Sequence, residues 1–227
     1  MQERWAGSVG DFGKLALLRQ LMEGRRLAIC WYLTGQSSDH GHETRYFDYL
    51  NRPGDFRHLA PEIFDMLKEI TSDNRSEISR IGALENSGLL NGALFHRKRV
   101  PQRASLREIW AKELIESVSE ADLVFLDPDN GIQGRRITPK HVALAEIAAL
   151  RRQGRALVIV QRQSGRQAEP KYLAEKLKLL GCHRIELIRF RLISSRFFVV
   201  ADHDAAISER IASFSRKWGS WIQTYWF

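Results

Sequence analysis

Apolar and polar positions in the second half of the chain follow helical and strand patterns in turn. Residues 105–119 carry apolar side chains at helical spacing, and residues 122–126 form a short, continuous apolar run typical of a buried strand. The same patterns predict, in order, a helix over 138–152, a strand over 156–160, a helix over 169–180, two strands over 183–191 and 196–202, and a helix over 204–218. A short turn separates the last two strands, which are therefore expected to pair antiparallel.

The first half is less regular but supplies further elements. Its pattern predicts, in order, a helix over 12–22, a strand over 27–33, a polar loop over 34–43, a helix over 60–70 and a strand near 93–95. Alternating strands and helices predict a mostly parallel sheet with helices on both faces. The expected fold class is α/β: a single doubly wound, Rossmann-like domain of three layers over residues 1–227, ending in an antiparallel hairpin.

The loops at one edge of such a sheet are candidate binding sites. Ligands bind outside the carboxyl ends of the strands, near the point where the strand order reverses. Loops 34–43 and 127–136 follow strands at this edge. Gln161 and Arg162 follow the strand over 156–160 and are expected to contact substrate, with a solvated strand end as the alternative.

Composition excludes a disordered or fibrous chain, because 44% of the residues are hydrophobic and only 6 are proline. The two cysteines, Cys30 and Cys182, are far apart in apolar surroundings, so we predict buried thiols and no disulfide or thiolate metal site. The first thirty residues lack a signal-peptide pattern, and no apolar run approaches the roughly 20 residues needed to span a bilayer. We therefore expect a cytoplasmic protein without a membrane partner.

A formal charge of +8 favours an anionic partner such as nucleic acid. The basic residues form two clusters, which could bind phosphates or could be an ordinary solvated surface. The first cluster contains Arg97, Lys98 and Arg99 with Arg103 and Arg107, and the second contains Arg135 and Arg136 with Lys140. The aromatic C-terminus, from Trp218 to Phe227, is expected to form a core or homodimer contact.

The strongest local signal is the sequence Phe-Leu-Asp-Pro-Asp-Asn-Gly at residues 125–131. A strand followed by Asp127 and Pro128 resembles the Asp-Pro-Pro-Tyr motif of class I S-adenosylmethionine-dependent methyltransferases that modify exocyclic amines. The resemblance implies methyl transfer in which the Asp127 carboxylate and the Pro128 carbonyl hold the target amino group. Asp129 and Asn130, the remaining candidate catalytic residues, stand where that motif has Pro and Tyr. A purely structural turn is the alternative.

A second resemblance lies near the amino terminus. Gly7, Asp11 and Lys14 are similar to the Gly-x-x-x-Asp-x-x-Lys opening of bacterial adenine-N6 methyltransferases that act on large-subunit ribosomal RNA. It implies S-adenosylmethionine as cofactor, contacted by Asp11, Lys14 and the turn at Thr34 and Gly35. No Gly-x-Gly turn follows the strand over 27–33, and Asp11 could instead cap a helix. The whole pattern also resembles a bacterial protein family without an assigned activity.

Two other function classes use the same loops. Carboxylate oxygens and imidazoles suit Mg²⁺, Mn²⁺ or Zn²⁺, so a divalent metal could support a phosphoesterase or nuclease. The ligands would be Asp39, His40, His42, Asp127 and Asp129, although loop histidines are often only solvated. The third class is a catalytically inactive nucleic-acid-binding module of the same fold, which agrees with the missing glycine-rich turn.

Overall fold

The computed structural model describes residues 5–35, 44–72, 79–163, 169–192 and 196–227. Its helices are α1 (Val9–Leu21), α2 (Pro53–Phe56), α3 (Pro61–Ser72), α4 (Arg80–Asn86), α5 (Ala104–Ser117), α6 (Leu144–Leu150), α7 (Pro170–Lys178) and α8 (Ala205–Trp218). Its strands are β1 (Leu27–Cys30), β2 (Leu94–His96), β3 (Leu123–Leu126), β4 (Gly131–Ile132), β5 (His141–Val142), β6 (Ala156–Arg162), β7 (Glu186–Phe190), β8 (Arg196–Ala201) and β9 (Ile222–Trp226).

Seven of these strands form one sheet in the order β2-β1-β3-β6-β8-β7-β9. Neighbours from β2 to β6 are parallel, β8 lies antiparallel between β6 and β7, and β9 is antiparallel to β7. The prediction of an α/β chain with a mostly parallel sheet and an antiparallel pair is confirmed. The sequence pattern does not predict β9, which adds an edge strand built from the aromatic C-terminal residues.

Alternation along the strands divides the buried side chains between two cores. Leu27 and Ile29 of β1 point into one core, whereas Ala28 and Cys30 point into the other. The first core lies under α1, α3, α4 and α8, and the second lies under α5, α6 and α7. Strands that are apolar on both faces therefore place helices on both sides of the sheet.

The predicted helix over 138–152 is wrong in its first half. Residues His141–Val142 instead form β5, which pairs in parallel with β4. The helix begins only at Leu144, because the Glu146 carboxylate accepts a hydrogen bond from the Ala143 N–H at 2.9 Å and so caps the first turn. Pairing with a distant segment thus overrides the local helical pattern.

The strand predicted over 27–33 ends early, at Cys30. The residue after next, Tyr32, has φ of 47°, a left-handed conformation that a bulky side chain rarely adopts. The backbone therefore leaves the strand direction directly after β1. The helix predicted over 204–218 is confirmed as α8, whose first turn is capped by the Asp204 carboxylate through the Ile207 N–H.

Both cysteines are buried and unpaired, as predicted. Burial raises the pKa of the Cys182 thiol to about 11 and that of Cys30 further still, so both are thiols at neutral pH. In the part of the chain that the structure describes, every helix is too short or too polar to cross a membrane.

Arg155, which directly precedes β6, joins the segments at the ends of two helices. Its guanidinium is buried and donates hydrogen bonds of 2.8–3.0 Å to backbone carbonyls in the turn after α5 and at the last residue of α6. The carbonyls belong to Val118, Ser119, Ala121 and Leu150. One buried side chain thus connects the turn after α5 with the end of α6, where the last carbonyls lack partners within the helix.

Replacing Arg155 with Met should lower the free energy of unfolding by about 3 kcal/mol, because four backbone carbonyls each lose a hydrogen bond from a charged donor. Urea unfolding followed by circular dichroism measures the change. Arg152→Met is the matched control, since exposed Arg152 donates, among the described residues, to the Ala121 carbonyl alone, and should cost about 1 kcal/mol or less. Equal losses in the two variants would refute the bridging role of Arg155.

Candidate functional site

The order of the strands reverses at β1. The chain passes from β1 to β2 on one side and later returns to β3 on the other side of β1. The edge at which these strands and β6 end is called the carboxyl edge below. Residues 31–35 and 127–131 follow β1 and β3 there, so the two loops chosen from sequence begin at the reversal point, where α/β sheets bind ligands. Residues 36–43 of the first loop lie outside the described residues.

A buried ion-pair cluster lies at this reversal point. The Lys14 ammonium donates to the Asp11 carboxylate at 2.6 Å and to the Asp127 carboxylate at 2.7 Å. The three side chains are only 3%, 5% and 2% exposed, respectively. Lys14 and Asp127 belong to two separate resemblances and lie 113 positions apart in the sequence, yet they meet in this cluster.

Helix α1 and the turn before it hold the cluster. Asp11 and Lys14 lie three residues apart on one side of α1, and the second Asp11 oxygen accepts the Gly7 N–H at 2.9 Å. Gly7 has φ of 90°, and a Cβ there would meet Thr71. Its carbonyl accepts the Tyr49 hydroxyl at 2.9 Å. The pattern Gly-x-x-x-Asp-x-x-Lys therefore forms one hydrogen-bonded unit that needs glycine at its first position.

The cluster keeps Lys14 charged. Burial lowers the pKa of Lys14, but the attractions of Asp11 and Asp127 outweigh it, and the pKa is raised overall. Two carboxylates and one ammonium carry a formal charge of −1. The positive charge of nearby Arg196 lowers the pKa of Lys14, against the effect of the two carboxylates. The Lys14 Nζ also lies 5.7 Å from the centroid of the Trp31 ring.

The loop after β3 is fixed by its neighbours. The Thr34 hydroxyl donates to Asp129 at 3.1 Å, and the Asn130 N–H donates to the Lys140 carbonyl at 2.8 Å. Gln161, fully buried, accepts the Ile132 N–H at 2.8 Å and donates to the Asn130 carbonyl at 3.3 Å. The contacts place Gln161 in a supporting role within the loop, whereas the sequence suggested a substrate contact; Arg162 beside it is exposed.

Two buried glutamates, one on each face of the sheet, accept hydrogen bonds from the two residues that follow β1. Trp31 Nε1 donates to Glu85 at 2.7 Å, and the Tyr32 hydroxyl donates to Glu146 at 2.8 Å. Arg97 pairs with Glu85 at 2.6 Å, while Arg107 pairs with Glu146 at 2.7 Å.

Arg107 therefore belongs to this internal network and not to an open basic cluster, a correction to the sequence-based grouping. Neither glutamate was predicted, because no sequence motif marks them. The aromatic pair Trp31 and Tyr32, directly after a strand, was the one sequence feature that pointed to buried acceptors at this position.

The basic residues at the carboxyl edge form what we call the basic rim. Its members are Arg97, Lys98, Arg99, Arg162 and Arg196. The first three directly follow β2. Arg162 ends β6 opposite Arg196, the first residue of antiparallel β8. Strand directions thus bring separate segments of the sequence to one edge.

Part of the rim charge is already compensated. Arg97 pairs with Glu85, and Lys98 pairs with Glu113 at 2.8 Å, although both basic side chains remain 62% exposed. Within the described ranges, Arg99 and Arg162 form no ion pair and are exposed. The second predicted cluster, Arg135 and Arg136, is exposed on the loop between β4 and β5.

The described residues do not fit the cofactor roles implied by the methyltransferase resemblance. Lys14 already binds two carboxylates and is almost completely buried, so it is not poised to bind the carboxylate of S-adenosylmethionine. Asp127 is 2% exposed and bound to Lys14. The cleft lined by these side chains, together with Trp5, Ser8, Gly10, Asp129 and Arg196, has a volume of only about 20 Å³.

The metal hypothesis is tested only in part by these contacts. Asp39, His40 and His42 lie outside the described residues. Among the residues that the structure describes, no group of three or more His, Cys, Asp or Glu side chains is arranged to hold a metal ion. Asp127 has the Lys14 ammonium against one of its oxygens. The metal-dependent hydrolase stays a prediction.

No protein-family model matches the chain, and neither does any curated protein sequence.

Replacing Lys14 with Met should lower the free energy of unfolding by about 3–5 kcal/mol at neutral pH, because two buried carboxylates lose their cation. The raised pKa of Lys14 means that its stabilisation is complete below the ordinary value of 10.5 and is lost as the pH rises through the folded-state pKa. The difference between wild type and Lys14→Met should therefore shrink in alkaline solution.

Urea titrations of both proteins at neutral and alkaline pH measure this difference. Lys178→Met, which removes an exposed lysine at the end of α7, serves as the control and should change stability little. A Lys14→Met protein as stable as the control would show that the cluster does not hold α1 to the sheet.

Proposed function

We propose that this chain is a nucleic-acid-binding protein with a Rossmann-like, doubly wound fold similar to that of class I methyltransferases, and that the nucleic acid lies along the carboxyl edge. The reversal of strand order at β1 supports the fold assignment. The antiparallel pairing of β8 with β7 also agrees with the antiparallel hairpin expected at the end of such a sheet.

The convergence of the basic rim on the carboxyl edge carries the proposal. Charge alone would give the same +8 if the basic residues were spread evenly over the surface. Instead, segments as far apart in the sequence as Arg97 and Arg196 lie along the edge where this type of sheet binds ligands. Arginine forms planar, paired hydrogen bonds with phosphate oxygens, so the rim suits a polyanionic backbone.

The inner part of the site has a structural role in this proposal. The Asp11–Lys14–Asp127 cluster is held together by its own ion pairs, and Gln161 and Thr34 hold the loop after β3 in place. These contacts make the edge rigid beneath the rim. Because the described residues do not fit the roles expected for S-adenosylmethionine, we favour binding without methyl transfer over catalysis.

The variant Arg99→Ala/Arg162→Ala should bind nucleic acid more weakly, and to a similar extent for different sequences, because both residues would contact phosphate. The slope of log K against log salt concentration should fall by about 2, since each lost phosphate contact reduces it by about 1. Fluorescence anisotropy with labelled single- and double-stranded oligonucleotides, measured over a salt series, gives both quantities.

The matched control is Arg152→Ala/Lys178→Ala, which removes the same charge from exposed residues near the ends of the sheet where β6 and β7 begin. Its affinity and salt slope should remain near those of wild type. If both double variants bind equally well, the charge of the chain acts nonspecifically and the rim is not the binding surface. A wild-type chain that binds no oligonucleotide at low salt would overturn the proposal itself.

S-adenosylmethionine should leave the melting temperature of the wild-type chain unchanged, because Lys14 and Asp127 are already bound to each other. Thermal unfolding at rising cofactor concentration is the measurement, with adenosine as a control for nucleoside binding. A saturable increase produced by the cofactor and not by adenosine would contradict binding without catalysis and would favour methyl transfer.

A further inference from the structure

The outer edge of β9 lacks the features that usually protect an edge strand. The six residues from Ile222 to Phe227 read Ile-Gln-Thr-Tyr-Trp-Phe, with no charge, proline or glycine. Natural sheets usually protect such edges with charges, proline, bulges or short strands. The opposite edge strand, β2, follows this rule, because it has three residues and is followed directly by Arg97, Lys98 and Arg99.

The hydrogen bonds between β7 and β9 show which backbone groups of β9 are left to pair with a further strand. Ile185 and Phe227 exchange both backbone hydrogen bonds, and the Arg191 N–H donates to the Trp221 carbonyl. In an antiparallel ladder, every second residue faces the same neighbour. Residues 221, 223, 225 and 227 therefore face β7, whereas the backbone groups of 222, 224 and 226 point to the outer edge. The Ile222 N–H donates to the Gly219 carbonyl. Among the described residues, this leaves the Ile222 carbonyl and the N–H and carbonyl of both Thr224 and Trp226 available at the outer edge.

We propose that β9 pairs antiparallel with β9 of a second copy of this chain, around a two-fold axis at Thr224. In this register, each Thr224 N–H donates to the Thr224 carbonyl of the other copy, and each Trp226 N–H donates to the Ile222 carbonyl. Every outward donor of one strand meets an outward acceptor of the other. A two-fold axis requires this self-complementarity, and the pattern of available groups on β9 provides it.

The side chains agree with the same register. Ile222, Thr224 and Trp226 share one face of β9, because side chains alternate along a strand. Pairing across the axis places Trp226, which is 65% exposed, beside Ile222 of the other copy and the two Thr224 side chains beside each other. Aromatic–aliphatic and Thr–Thr neighbours are favourable pairs across antiparallel strands. No like charges meet along the strand.

The second copy is a better occupant than an unrelated peptide. An unrelated strand could take the backbone bonds, but a second copy in this register also places Ile222 opposite Trp226 on both sides of the axis. The register also gives the predicted homodimer contact of the aromatic C-terminus a specific geometry. It does not depend on nucleic-acid binding, because the basic rim contains no residue of β9.

Thr224→Pro tests the pairing directly. Proline removes the outward N–H and no bond to β7, so the folded chain should persist while the second copy is excluded. Analytical ultracentrifugation of nuclease-treated protein should give twice the chain mass of 26.2 kDa for wild type and the single mass for the variant. High salt in the buffer prevents bridging by residual nucleic acid.

Two further variants at the same position complete the experiment. Thr224→Val keeps the N–H and should remain dimeric, whereas Thr224→Lys places like charges opposite each other at the axis and should give single chains. Circular dichroism confirms that each variant is folded. A wild-type chain of single mass at all concentrations tested would overturn the proposal, and so would folded Thr224→Pro and Thr224→Lys proteins that remain dimeric.

Discussion

The attraction between one buried ammonium and two buried carboxylates determines how the rest of the carboxyl edge is built. Lys14 on α1 is held by Asp11 on the same helix and by Asp127 after β3. An unpaired charge at such depth would be costly, so the helix and the strand end must keep their relative positions. The alignment of α1 fixes one wall of the first core, and the position of Asp127 fixes the start of the loop that Gln161 supports.

The cluster also changes the meaning of the two motifs. Each resembles part of a methyltransferase site, and each would be expected to face a ligand. In the folded chain their charged groups face one another, and glycine is needed at Gly7 for the backbone bond to Asp11. A set of residues with the composition of a catalytic site thus forms an internal ion-pair cluster, whereas Arg99 and Arg162 of the basic rim are exposed.

Sequence patterns predicted the parts of the fold that depend on local order. The apolar runs of β3 and β6 and the capped, amphipathic α8 are all found. The wrong or missing predictions involve pairing with distant segments. β5 replaces the first half of a predicted helix because it pairs with β4. β9 was not predicted, and it forms a strand because it pairs with β7. For the site, the motifs identified Lys14 and Asp127. Their pairing depends on the fold, as do the roles of Glu85 and Glu146, which no local pattern marks.

The two aromatic residues after β1 have a mechanical consequence. Trp31 and Tyr32 are neighbours in the chain, yet their side chains leave opposite sides of the sheet and end on different glutamates, one in α4 and one in α6. The two helical layers are therefore tied to a single peptide unit. A shift of that unit would strain both attachments together, so contacts made at this edge would be transmitted to both outer layers of the protein at once.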